Sequence, residues 1–208
     1  MQNVTIDIIL KYFTKLTEDQ IRQLSALYGI FEEWNNQINV ISRKDFEFFY
    51  LKHVLHSLGI AKYHAFEDGM NVLDIGSGGG LPGIPLAILF PKVNFTLLDS
   101  IKKKMTVARE VSDHIGLKNT KIVIDRSESF KERHNIIVSR AVTQLPKFVA
   151  QSKHLLDWQD PKSCILYLKG GDFQEELSQL RYKYNVVNLT EYFEEEFFET
   201  KKIVKIYR

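Results

Sequence analysis

A single cysteine, Cys164, occurs in 208 residues. No internal disulfide can form, and its place in the run SCILYL reads as a small residue of a buried strand. Apolar runs long enough for a bilayer are also missing. The first residues, MQNVTIDIILKYF, lack a basic region, an export-signal layout and a small-residue cleavage site. These absences lead to the expectation of a cytoplasmic protein with no membrane span. Charge of one sign is scarce too: the formal net charge is +2. The chain as a whole is no polycation, so a nucleic-acid partner would have to be met by a local patch. What is present is 44% hydrophobic and 26% charged residues, the balance of a globular fold, in a length suited to one main domain with an appendage.

Two hydrophobic periods divide the chain. In the first part Thr17 and Gln20 have capping-box spacing, and Ile21, Leu24, Leu27, Phe31, Trp34 and Ile38 then recur every three or four residues. NNQINVISRK breaks this stripe, and FFYLKHVLHSLGI resumes it, with a stop expected near Gly59. Residues 1–62 are therefore expected to form a small helical cap on a main domain spanning 63–208. From residue 71 the pattern changes to short apolar strands, NVLDI, NFTLLD, TKIVI, NIIVS and CILYL, separated by helical segments, with QLPKFVAQSKHLLDW and FQEELSQLRY expected as helices in the later part. KYNVVNLT and KKIVKIY follow without a helical crossover, which suits a terminal antiparallel hairpin. The expected fold is α/β: a mixed, mostly parallel seven-stranded sheet of Rossmann-like order with helices on both faces. The acidic and aromatic run YFEEEFFE is expected to be a solvated connection between the last two strands.

The strand NVLDI runs into GSGGGLPGIP, with Gly76, Gly78, Gly79 and Gly80 in close succession. Glycines there let ligand atoms approach the main chain at the carboxyl edge of a sheet. A phosphate-gripping loop would need Lys and Ser or Thr after the glycines, and LPGIP stands in their place. A dinucleotide fold remains open, because Asp99 closes the second strand where an acidic residue would bind a ribose. Asp74, just ahead of the glycines, disfavours pyrophosphate and favours a cation. S-adenosylmethionine carries a sulfonium and an ammonium and no phosphate. Asp74 is therefore expected to complement that positive charge, directly or through water, and it can at the same time fix the glycine turn by bonding to backbone amides. Asp99 is expected to accept from the ribose hydroxyls. Ser127 and Glu128, at the end of the third strand, would then lie along the adenine edge.

The strings LDIGSGGGLPGIPLA, FTLLDS, RSESF and VSRAV, with WNNQIN upstream, resemble the RsmG family, also called GidB. The resemblance covers nearly the whole chain and is strongest from Asn71 to Val142. It implies a bacterial methyltransferase that uses S-adenosylmethionine to modify N7 of a guanine in 16S ribosomal RNA, on the free RNA or on the small ribosomal subunit. It also implies that Gly76, Gly78 and Leu81 form the cofactor loop, that Asp99 holds the ribose and that Ser127 and Glu128 flank adenine. Arg140 is implied at the edge shared by cofactor and active site, and Lys169 and His53 on the RNA-facing side. His56 stands where the family often has aspartate, Lys104 where many relatives have arginine, and Lys201 and Lys202 where a related basic pair is usual.

Guanine N7 already presents a lone pair, so the implied reaction needs alignment more than a general base. Arg140 is expected to donate to guanine O6, to a phosphate or to the cofactor carboxylate. Lys44, Lys52, Lys102, Lys103, Lys104, Lys169, Lys201 and Lys202 are expected to rim the mouth and hold RNA phosphates. His53 and His56 lie three apart with no third ligand at helical spacing, so no metal is expected. Trp34 is read as a stripe residue or as a platform for a base. A monomer is expected. Two other functions stay open: methylation of a small molecule or protein, and a noncatalytic RNA-binding module on the same fold.

Overall fold

The computed structural model describes residues 5–208. Its helices are α1 (Asp7–Tyr12), α2 (Glu18–Gln37), α3 (Arg43–Phe46), α4 (His56–Tyr63), α5 (Gly83–Leu89), α6 (Lys102–His114), α7 (Leu145–Ser152) and α8 (Gln174–Ser178). The strands are β1 (Asn71–Ile75), β2 (Asn94–Asp99), β3 (Thr120–Ile124), β4 (Ile136–Arg140), β5 (Cys164–Gly170), β6 (Lys183–Asn188) and β7 (Lys201–Tyr207).

The capping box forms as its spacing requires. Thr17 Oγ1 accepts from the Gln20 amide and Gln20 Oε1 accepts from the Thr17 amide at 3.0 Å, a cap worth about 1 kcal/mol. Gln20 has a second duty: its Nε2 donates to the carbonyls of Ile88 and Leu89 at the end of α5. Gln23 does the same for Ile115 at the end of α6. Two polar residues of α2 thus close the carbonyl ends of two sheet-covering helices. Leu24, Leu27, Ile30 and Phe31 of the same helix are buried, whereas Trp34 stays half-buried against the core.

Three expectations need correction. The segment expected to stop near Gly59 continues to Tyr63: a π-helical stretch, Phe49–Leu55, passes directly into α4. Gly59 is there for packing, since a Cβ on it would lie 3.0 Å from Leu189 Cδ2. The run YFEEEFFE is more than a solvated connection. Phe193 and Phe198 are buried with their rings 4.5 Å apart, and Glu195 accepts from Lys11 and from the Tyr12 hydroxyl. This connection therefore fastens α1. The helix expected over FQEELSQLRY is short, spanning only Gln174–Ser178.

The seven strands follow the order β3-β2-β1-β4-β5-β7-β6, parallel except for β7, which runs antiparallel between β5 and β6. The terminal hairpin is real, and β7 rather than β6 is inserted beside β5. Strand side chains alternate between two cores. Val72, Leu97, Val138 and Ile203 face the cap, α5 and α6; Leu73, Leu98, Ile137 and Val204 face α7 and α8. This alternation decides which face each functional residue near a strand end serves.

Candidate functional site

The order reverses between β1 and β4, which leaves a crevice at their carboxyl ends. Three connected lobes open there, and Arg140 and Ala141 line all of them. The first, of about 610 Å³, lies between the glycine loop and the cap residues Phe31, Val40, Asp45, Lys52, His53 and His56. The second, of about 410 Å³, is lined by Asp99, Ile101, Ser127, Glu128, Val142 and Gln151. The third, of about 420 Å³, lies between the loop after β4 and the ends of β5 and β7, with His56, Tyr167, Lys169 and Lys201.

Backbone conformation shapes the loop. Gly76 has φ +71° and Gly78 φ +56°, both in the left-handed region that glycine adopts without strain. A Cβ at Gly76 would meet Val142 Cγ2 at 2.4 Å, whereas one at Gly78 would meet only Lys104 Cδ at 3.8 Å. The first glycine lets the loop approach the segment after β4, and the second leaves open space. Leu81 is buried at the wall of the first lobe.

Asp99 is half-buried at the end of β2. Its Oδ2 accepts from the Gly78 amide at 3.0 Å and its Oδ1 from the Ile101 amide at 2.8 Å. Each oxygen keeps a further lone pair, so the same carboxylate that sets the loop can accept from a ligand. Ser127 donates to Glu128 Oε2 at 3.0 Å, and Gln151 Nε2 donates to Glu128 Oε1 at 2.7 Å. Hydrogen bonds from the Glu128 backbone amide and from Ser127 hold its carboxyl below the usual range.

Asp74 is buried away from the crevice. It shares a face with Val72, so it points beneath α5 rather than into the crevice, and it lines none of the lobes. Its Oδ2 accepts from the Gly83 amide at 2.8 Å, while its buried Oδ1 has no partner. Burial pushes its pKa up to about 7. Of the two roles considered for Asp74, bracing the glycine turn is the one the structure contains.

Arg140 follows Val138 on the cap-facing side and reaches across to the cap. Its Nη1 donates to the Lys52 carbonyl at 3.2 Å, and its Nη2 lies 3.3 Å from His53 Nδ1. Burial lowers its pKa to about 10, which leaves it a cation at neutral pH, and nearby Asp74 opposes the shift. The segment that carries it is pinned. Tyr167 Oη accepts from the amides of Val142 and Thr143 and donates to the Thr143 carbonyl, around Ala141 at φ +54°. A left-handed alanine costs about 1–2 kcal/mol, and here it lies where the three lobes meet.

The basic positions separate into distinct groups. Lys104 and Lys201 line the lobes and form no ion pair with a carboxylate among the described residues. Lys169 shares a face with Tyr167 and is bound to Glu176 at 2.6 Å, so its charge is already compensated. Lys52 is paired with Asp45 at 2.9 Å. Lys44, Lys102 and Lys103 are exposed and line no lobe, because they occupy outward positions of α3 and of the first turn of α6. Lys202 points opposite to Lys201 and lies over the Phe173 ring. His53 lines the first lobe and is held neutral. Burial and the Arg140 charge lower its pKa to about 3, and the same two causes hold His56 well below its ordinary value.

Several contributors lay outside the sequence reading. Gln151 and Tyr167 come from α7 and β5 and carry no motif; only their place in the fold brings them to the site. Asp45 follows the break in the helical stripe, and its Ser42 cap was the one local signal present.

Residues 20–204 match the GidB family model, described as rRNA small subunit methyltransferase G. The ribosomal RNA small subunit methyltransferase G of Flavobacterium johnsoniae is 52% identical over 204 residues, covering 97% of each chain. That of Cytophaga hutchinsonii is 48% identical, covering 97% of this chain and 99% of its own. Among solved structures, a SAM dependent methyltransferase from Aquifex aeolicus has a similar fold, with a TM-score of 0.55 at 16% identity over 72% of this chain and 88% of that one.

Proposed function

The chain belongs to the GidB family, rRNA small subunit methyltransferase G, and from that membership and the cavity around Arg140 we propose that it transfers a methyl group from S-adenosylmethionine to N7 of one guanine in 16S ribosomal RNA. The observation that carries the reading is the convergence of three lobes on Arg140 at the switch point of the sheet.

The residues of the second lobe fit an adenosine. Asp99 offers carboxylate lone pairs to the ribose, Ser127 and Glu128 stand beside the purine edge, and Ile101 and Val142 are apolar side chains left 47% and 43% exposed. A planar ring between them would cover that apolar surface. Gly76, Lys104, Arg140 and Ala141 line both this lobe and the first, where the rest of the cofactor would lie. S-adenosylmethionine, when bound, supplies an electrophilic methyl group on a sulfonium centre.

The target guanine is assigned to the third lobe. Its N7 lone pair lies in the ring plane, so no proton has to leave before the new bond forms. The chain's residues suit this requirement: His53 and His56 are held neutral and are poor proton acceptors. Arg140 stays charged and can donate to the cofactor carboxylate, to guanine O6 or to a phosphate while the Tyr167 hydroxyl keeps its segment in place. Positioning of this kind can contribute roughly 7–11 kcal/mol in favourable cases. Lys201 supplies uncompensated charge for the RNA backbone. The protein would act as a cytoplasmic monomer; no helix among the described residues is long and apolar enough to cross a membrane.

The test is transfer of labelled methyl from S-adenosylmethionine to small ribosomal subunits lacking their guanine methylations, with nucleoside mass spectrometry after digestion. Label in 7-methylguanosine at one position is the expected result. Cofactor binding without incorporation into subunits or free RNA would overturn the substrate assignment.

A further inference from the structure

The assignment of the first lobe to the methionine end of the cofactor rests on the function proposed above, and it raises an electrostatic question. That end carries an α-ammonium and an α-carboxylate, so its site needs an anion as well as a cation. Asp74, the acidic residue adjoining the glycine loop in sequence, is enclosed beneath α5 and bound to Gly83. Among the described residues lining the first lobe, Asp45 is the only carboxylate, set among Lys52, Lys104, Arg140 and Lys201.

Asp45 is prepared for this use. Lys52 Nζ donates to its Oδ1 at 2.9 Å and the Ser42 hydroxyl to its Oδ2 at 2.7 Å, and together they hold its carboxyl below the usual range. Its side chain remains 45% exposed, and its oxygens keep lone pairs for a further donor. Lys52 continues the chain of contacts, since its backbone carbonyl accepts from Arg140. One wall of the lobe thus presents a carboxylate, an ammonium and a guanidinium in linked succession, the complement of a zwitterion.

We infer that Asp45, supplied by the helical cap, receives the α-ammonium of the cofactor, with Arg140 and Lys104 facing its α-carboxylate. The cap is then part of the cofactor site and not solely an RNA-facing appendage.

The experiment is calorimetry on the full chain with two ligands: S-adenosylhomocysteine, and its analogue in which a keto group replaces the α-ammonium. The wild type should bind the amino ligand at least tenfold more tightly. Asp45→Asn should lose most of that preference while its affinity for the keto analogue changes less than twofold. Asp45→Glu should retain the preference, and so should Lys52→Met, which leaves the carboxylate and removes its partner. A preference undiminished in Asp45→Asn, or an equal loss for both ligands, would overturn the assignment. Failure of the wild type to bind S-adenosylhomocysteine at all would instead overturn the methyltransferase reading on which it rests.

Discussion

Arg140 donates to the backbone carbonyl of Lys52 at 3.2 Å, joining the carboxyl end of a central strand to the π-helical segment of the cap. The π-helix at this point carries Lys52 and His53 on adjoining positions, so one irregular turn meets the guanidinium with both a carbonyl and a ring nitrogen. Irregular turns of this type are often found at functional sites, where they re-aim groups that a regular helix would bury in its own ladder.

Replacing Arg140 should therefore separate chemistry from folding. Arg140→Lys keeps a charge but cannot reach both partners with a planar fork. A fall of at least 100-fold in kcat is expected, with a smaller change in melting temperature than Arg140→Ala produces. Steady-state kinetics and melting curves on the two variants check this; equal effects on both readouts would reassign the residue to structure alone.

The buried Asp74 should make stability depend on pH in a particular direction. Its folded pKa, about 7, lies above its ordinary value of 3.8, so the folded state holds a proton that the unfolded state releases. Its contribution is fully present below the unfolded pKa and is lost as pH rises toward and through 7. Asp74→Asn should flatten this part of the profile, gaining on the wild type between roughly pH 4 and 7 as judged by denaturant midpoints. A profile unchanged by the substitution would contradict the assignment.

Two glycines should respond in opposite ways to alanine. A Cβ at Gly83 would fall 2.2 Å from Leu97 Cδ2 and 2.8 Å from Asp74 Oδ2, both buried. Gly83→Ala should destabilise by more than about 2 kcal/mol. Gly29, in the middle of α2, has nothing within 4 Å of the added atom. Gly29→Ala should stabilise by about 0.5–1 kcal/mol through helix propensity. Urea unfolding of both variants provides the comparison.

The lysines predict a difference in RNA affinity. Lys201→Met should weaken binding to 16S RNA several-fold and reduce the salt dependence by about one phosphate contact. Lys169→Met should have a smaller effect on RNA and a larger one on stability, because it leaves Glu176, which also accepts from the Leu145 amide, without its cation. Filter binding across a salt series, with melting curves, distinguishes the two.

Much of this protein was determined locally. The capping box at Thr17 and Gln20, the helical stripe, the apolar strands and the glycine loop each follow from short-range chemistry, and the period change near residue 71 separates cap from sheet. That Asp99, Ser127 and Glu128 line one lobe was legible because Asp99 ends β2 and the other two lie in the loop after β3, at the carboxyl edge where a parallel sheet collects its ligands. Only the tertiary structure decided which side chains face the crevice. Strand alternation turns Asp74 under α5 and Lys169 toward Glu176, whereas it turns Arg140 and Lys201 toward the cap; one residue of register reverses each assignment. Burial likewise altered what the groups can do, leaving His53 neutral beside a guanidinium. Asp45, Tyr167 and Gln151 reach the site from three separate elements, a meeting that depends on long-range packing and of which the Ser42 cap beside Asp45 is the one local trace.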